Sequence, residues 1–244
     1  MNHADEDVKP FSRQGLYQAV YDIIEELPFY RAATALHMQW IRSIASRRPL
    51  VIEAGGGTGL MNTEARRVRR DADVYLLDIN PAMAEQAESH GVPRGKIVVA
   101  DVAEMCVGSR SAADHIFSHS VVWALPLPDM FFAEAQRVLK SGGGLAVSTV
   151  GENLHAYRQC FISYLDKYLS AAVERGVVSP EQKRIFIEQN ERVTEAAKSP
   201  LSSEQLRELG ERDGFDVEVV TDCYVVDTLE GPRPYYHQIL YRKR

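Results

Sequence analysis

Apolar residues first recur at helical spacing, where Leu16, Val20, Ile23, Ile24 and Leu27 share one face. A second helix is predicted from residue 30 or 31 to residue 46, with Pro28 between the two. The period then changes. Val51-Ile52-Glu53-Ala54 is a short apolar run ending in Gly55-Gly56-Gly57-Thr58-Gly59, which reads as a buried strand, a glycine turn and a helix start. Residues 73–79 predict a second strand, after which Asn80 and Pro81 offer an N-cap and a first helical residue. Residues 96–100 predict a third strand and 114–118 a fourth. A helical segment from Glu134 then turns through Gly142-Gly143-Gly144 into a fifth strand, 145–150.

The next stretch of about fifty residues is too long for a plain loop, so it must carry structure of its own. Leu154, Tyr157, Phe161, Leu165, Tyr168 and Leu169 fit one face of a helix; Ser179-Pro180-Glu181-Gln182 opens another with a capping-box pattern, and Pro200 ends it. Ser202 and Gln205 form a second such box, opening a helix to about residue 213. A strand over 216–227, a connection through Gly231-Pro232-Arg233-Pro234 and a strand over 235–241 complete the pattern.

The chemistry is concentrated at the glycine turn. Glycines at 55, 57 and 59 let the backbone bend and approach a ligand closely, as nucleotide-type cofactors require. A dinucleotide fingerprint would be G-x-G-x-x-G, but the position three after Gly57 is Leu60. Glu53 before the turn suits a ligand bearing an ammonium group. Asp78 closes the second strand nineteen residues beyond Gly59, where a carboxylate can accept ribose hydroxyls.

The run E-x-G-x-G-x-G, the acid at Asp78, Asp101-Val102 after the third strand and the segment from Glu134 to Gly144 resemble the motifs of class I S-adenosylmethionine-dependent methyltransferases. The resemblance covers residues 50–150 closely and the C-terminal part more loosely. It implies a Rossmann-like α/β fold: a seven-stranded, mostly parallel sheet with the last strand antiparallel, helices on both faces and a helical lid insertion. It implies one domain over 1–244, divided into an N-terminal helical cap (1–48), a cofactor-binding core (49–150), a lid (151–200) and a C-terminal helix and hairpin (201–244). S-adenosyl-L-methionine is the implied cofactor and S-adenosyl-L-homocysteine its product. The implied cofactor-binding residues are Glu53, Gly55, Gly56, Gly57, Gly59, Asp78, Ile79, Asp101, Val102 and Ser118.

Charge and composition narrow the acceptor. The 244 residues are 45% apolar with a formal charge of −6, which disfavours a nucleic-acid partner, because phosphate binding relies on Lys and Arg. Arg66-Arg67-Val68-Arg69-Arg70 is the exception, and its place at a helix end is accounted for by the helix dipole. Cys106, Cys160 and Cys223 form no C-x-x-C pair, so neither zinc nor a disulfide framework is indicated, and no carboxylate cluster points to a metal. The polar, acidic N-terminus and the absence of an apolar run of ~20 residues point to a cytoplasmic protein without a membrane partner.

A small-molecule acceptor follows as the leading reading, with oxygen preferred over nitrogen and secondary metabolism as the setting. A protein or RNA methyltransferase and a non-catalytic cofactor-binding protein stay open, as does a homodimer. An oxidoreductase is opposed by the glycine spacing and the terminal hairpin. His119, at the end of the fourth strand, is the first candidate for a general base and His155 the second. Tyr17, Tyr21, Tyr30, Trp123 and Tyr157 are candidates for touching the substrate.

Overall fold

The computed structural model describes residues 21–107, 110–156, 158–195, 200–228 and 231–244. Tyr17, Tyr157 and most of the first predicted helix lie outside them; the described part of that helix is a 3-10 turn, Tyr21–Glu26. The next helix, α1 (Pro28–Ser43), starts two residues earlier than predicted and stops three earlier. Pro28 does not separate two helices but occupies the first turn of α1, where its missing N–H costs nothing.

The Rossmann-like frame follows in alternation: β1 (Leu50–Ala54), α2 (Leu60–Val68), β2 (Asp73–Asp78), α3 (Pro81–Ser89), β3 (Ile97–Val99), β4 (Ala113–His119), α4 (Pro128–Val138) and β5 (Leu139–Val150). The lid segment holds α5 (Arg158–Glu174) and α6 (Pro180–Glu195), and the C-terminal part holds α7 (Ser203–Arg212), β6 (Phe215–Thr228) and β7 (Gly231–Lys243). The seven strands lie in the order β3-β2-β1-β4-β5-β7-β6. Pairs among β1 to β5 are parallel, whereas β7 runs antiparallel to both β5 and β6.

Two strands are longer than their hydrophobic patterns. β5 begins at Leu139, which pairs with Ala113, but pairing resumes only at Gly144 opposite His115, so residues 140–143 bulge out of the ladder. The Gly231-to-Pro234 segment is not a loop but the first part of β7. Before Tyr236 only β6 pairs with it, and the register slips around Tyr235; edges and bulges are where a sheet tolerates proline.

Strand alternation divides the core into two layers. Val51, Phe117, Ala146 and Leu240 face α1, α2 and the lid, while Ile52, Ile116, Val147 and Tyr241 face α4 and α7. The lid joins the first layer through aromatic rings. Phe161 stacks on Tyr235 at 4.7 Å, Tyr164 meets Tyr224 at 4.4 Å, and the Tyr164 hydroxyl accepts from the Phe29 N–H at the start of α1. Phe161, Leu165 and Leu169 are thus core residues that anchor the lid.

Candidate functional site

The carboxyl ends of β1, β2 and β4 converge on the glycine turn, the position at which open α/β sheets bind ligands. Gly55 and Gly56 donate their N–H groups to Leu77 O at 2.8 and 2.9 Å, which bends the chain across the end of β2. Gly55 has φ +75°, and a Cβ there would stand 2.2 Å from Val121 Cγ2, so no other residue fits. Asp78 then fixes the loop: Oδ2 accepts from Gly57 N at 2.8 Å and Oδ1 from Asn80 N at 2.9 Å. Burial raises its pKa, and these two bonds oppose the rise. Each oxygen keeps a second lone pair for a ribose hydroxyl.

Glu53 lies beneath the same turn, 4% exposed. Its Oε2 is buried and has no hydrogen-bond partner among the described residues. Desolvation pushes its pKa up to about 8, with Asn62 and Arg66 pulling the other way and Asp78 adding to the rise. A buried carboxyl oxygen with no partner is costly unless something arrives to meet it, and an ammonium group would. Among the described residues a Cβ on Gly57 would meet only Tyr21, at 3.8 Å, so the glycine leaves a shallow space over the loop. Ile79, 43% exposed at the end of β2, offers an apolar surface beside it. These residues fit an aminoacyl nucleoside: an acid for the amine, an acid for the ribose and an apolar edge for the base.

The other expected cofactor residues are more engaged. Ser118 donates to Ala54 O at 2.9 Å and so ties β4 to β1. Asp101 is exposed, with Oδ1 accepting from Ala103 N at 2.8 Å in a turn after β3, while Val102 is buried. Asp22 was not foreseen. Its carboxylate accepts from Thr58 Oγ1 at 2.7 Å and Gln86 Nε2 at 3.0 Å and lies 3.1 Å from His90 Nε2, pinning the 3-10 turn that carries Tyr21 beside the glycine loop.

His119 is buried and forms part of a polar chain. Its Nδ1 lies 2.8 Å from Ser148 Oγ, which also meets His37 Nε2 at 2.7 Å; Tyr30 packs edge-on against the ring with centroids 5.0 Å apart. Tyr236 hydrogen-bonds Ser120, and its oxygen lies 3.3 Å from His119 Nε2. Desolvation lowers the pKa of His119 to about 3 and that of His37 well below its usual value. The ring is thus neutral, as the general-base expectation requires, but a weak proton acceptor. His155 is exposed beside the 3-10 turn Glu152–Leu154, and Trp123 is buried, its backbone N–H donating to Thr149 Oγ1 at 3.2 Å. Sequence reading missed His37, Ser148 and Tyr236. Their only signal is a polar residue on an otherwise buried face, such as His37 between Ala33 and Ile41.

Comparison with known proteins agrees with this fold. The pattern of the methyltransferase domain family matches residues 52–147. Malonyl-[acyl-carrier protein] O-methyltransferase of Hahella chejuensis is 35% identical over 101 residues, covering 41% of this chain and 36% of that protein. The biotin biosynthesis bifunctional protein BioHC of Cellvibrio japonicus is 33% identical over 169 residues, 69% of this chain and 32% of that protein. The alignments thus span about a third of these relatives' own lengths. The crystal structure of an S-adenosylmethionine-dependent methyltransferase from Thermotoga maritima shares the fold at TM-score 0.58 and 17% identity, covering 94% of this chain and 98% of that one. Residues 52–147 thus match the methyltransferase domain, the whole sheet has the fold of class I S-adenosylmethionine-dependent methyltransferases, and S-adenosylmethionine is the cofactor that this match implies.

Proposed function

We propose that the protein transfers a methyl group from S-adenosylmethionine to an oxygen of a small acceptor. The observation that carries this reading is the unpartnered, buried Glu53 Oε2 beneath the glycine turn, which matches the amino group of that cofactor. Glu53 holds the aminoacyl end, Asp78 the ribose and Asp101 with Ile79 the base. When bound, the cofactor supplies a methyl on a positively charged sulfur. The protein's remaining work is positional: it holds the acceptor in line with that methyl and excludes water, which can contribute ~7 to 11 kcal/mol. An acceptor oxygen that is already ionised forms its new O–C bond while the S–C electron pair returns to sulfur, and no proton moves.

A carboxylate oxygen is favoured because it needs no base, whereas the buried histidine is too weak a base to strip an ammonium or a phenol at neutral pH. The O-methyltransferase relatives support the same choice. No helix among the described residues is long and apolar enough to cross a membrane, and Cys106 and Cys160 are exposed free thiols, in keeping with a reducing cytoplasm. The test is label transfer from methyl-labelled S-adenosylmethionine to a panel of carboxylates, phenols, amines, tRNA and protein. Label on carboxylate oxygen is the expected result. Label on RNA or protein would replace the acceptor class, and cofactor binding without transfer would leave a non-catalytic binding protein.

A further inference from the structure

The buried polar chain beside β4 and β5 has a direction, and that direction decides what His119 can hold. Ser148 Oγ lies within hydrogen-bond distance of both His37 Nε2 and His119 Nδ1, but a hydroxyl has one proton and cannot donate to both rings. His37 Nδ1 is buried with no partner among the described residues, and its ring is flanked by Trp40 and Phe117, each with centroids 5.6 Å away. A buried N–H without an acceptor is rarer than an unmet lone pair. His37 therefore carries its proton on Nε2 and donates it to Ser148. Ser148 Oγ could accept from both rings, but its own proton would then have no acceptor among the described residues; it therefore donates to Nδ1 of His119, which places the His119 proton on Nε2.

The ring nitrogen not engaged by Ser148 is thus a donor. All three are buried, but His37 and Ser148 have no exposure and His119 keeps 8%, so His119 is the member of the chain nearest the surface. Tyr236 Oη, 3.3 Å from Nε2, is the present acceptor of that donor, but its closer bond is to Ser120 at the end of β4, so an acceptor oxygen would take the place of the longer contact. Among the described residues the titratable groups packed on the ring are His37, Tyr30 and Tyr236. Burial disfavours the charged form of each.

Resting on the reading of this site as one for methyl transfer, we propose that His119 is a neutral hydrogen-bond donor to the methyl acceptor, with His37 and Ser148 as positioning residues. The acceptor then presents an oxygen lone pair, as a carboxylate or enolate does, and an ammonium or N–H face is rejected because it would leave two donors opposed. The attacking oxygen forms the O–CH3 bond, the S–CH3 electron pair stays on sulfur, and His119 neither gains nor loses a proton.

The tautomers are read directly by nitrogen-15 NMR of the histidine rings in the full chain with S-adenosylhomocysteine bound, assigned through bonds to the backbone. The expected result is that His37 and His119 are both Nε2–H and neutral from about pH 5.5 to 8. In transfer to the carboxylate found by labelling, His119→Phe raises the acceptor KM about tenfold or more, and His119→Asn, which keeps an N–H donor, recovers most of it. His119 protonated on Nδ1, or titrating in that range, overturns the donor role, as does His119→Phe with an unchanged KM. Failure to bind S-adenosylhomocysteine would instead overturn the methyl-transfer reading beneath it.

Discussion

Glu53 carries the strongest chemical signal of any single side chain. Its carboxyl titrates near 8 in the fold against 4.5 in the unfolded chain, so between those values the native state binds more protons. Stability is therefore lost as pH rises through this window, at a slope of up to about 1.4 kcal/mol per pH unit. Glu53→Gln removes the titration: relative to the variant, the free wild type should weaken steadily from pH 4.5 towards 8, as followed by urea midpoints. An arriving ammonium ionises the carboxyl, so binding at neutral pH should release a proton from the wild type and none from Glu53→Gln. Calorimetry in buffers of different ionisation enthalpy reads that difference. Glu53 and Asp78 were legible in the sequence because a strand, a turn and the next strand end fix their places locally. His37 and Ser148 were not, since they meet across 111 residues and nothing in either segment announces the other.

Among the elements, the helix starts follow local rules. Ser202 Oγ accepts from Gln205 N at 3.1 Å while Gln205 Oε1 accepts from Ser202 N at 2.8 Å, and Ser179 with Gln182 repeats the arrangement at α6. Ser202→Ala should cost about 1 kcal/mol, seen as a lower urea midpoint with an unchanged slope. The lid's attachment is tertiary. Tyr164→Phe keeps the ring against Tyr224 but leaves the Phe29 N–H without its hydroxyl, and should also cost about 1 kcal/mol by the same measurement. Both capping boxes were legible because four consecutive residues contain them. The prolines of β7 misled, because whether Pro232 and Pro234 end a strand depends on which neighbours pair there, and only β6 does.

For the whole molecule, strand order was visible only through family resemblance, since the chain must return from β3 at the edge to place β4 beside β1, and no local pattern encodes that crossover. Once the order is set, the glycine turn, Glu53 and Asp78 fall at one end of the sheet and binding there couples to global stability. A ligand at a hundredfold excess over its Kd should stabilise the fold by about 2.7 kcal/mol, read as a raised melting temperature with S-adenosylhomocysteine and no rise with NAD. The measurement closest to the central claim is calorimetric titration of the full chain with S-adenosylmethionine, S-adenosylhomocysteine and NAD, repeated on Asp78→Ala. Binding of the two sulfur compounds but not NAD, weakened by the loss of the carboxylate that holds Gly57 and Asn80, is the predicted result. Binding of NAD in preference, or of none of the three, would contradict it.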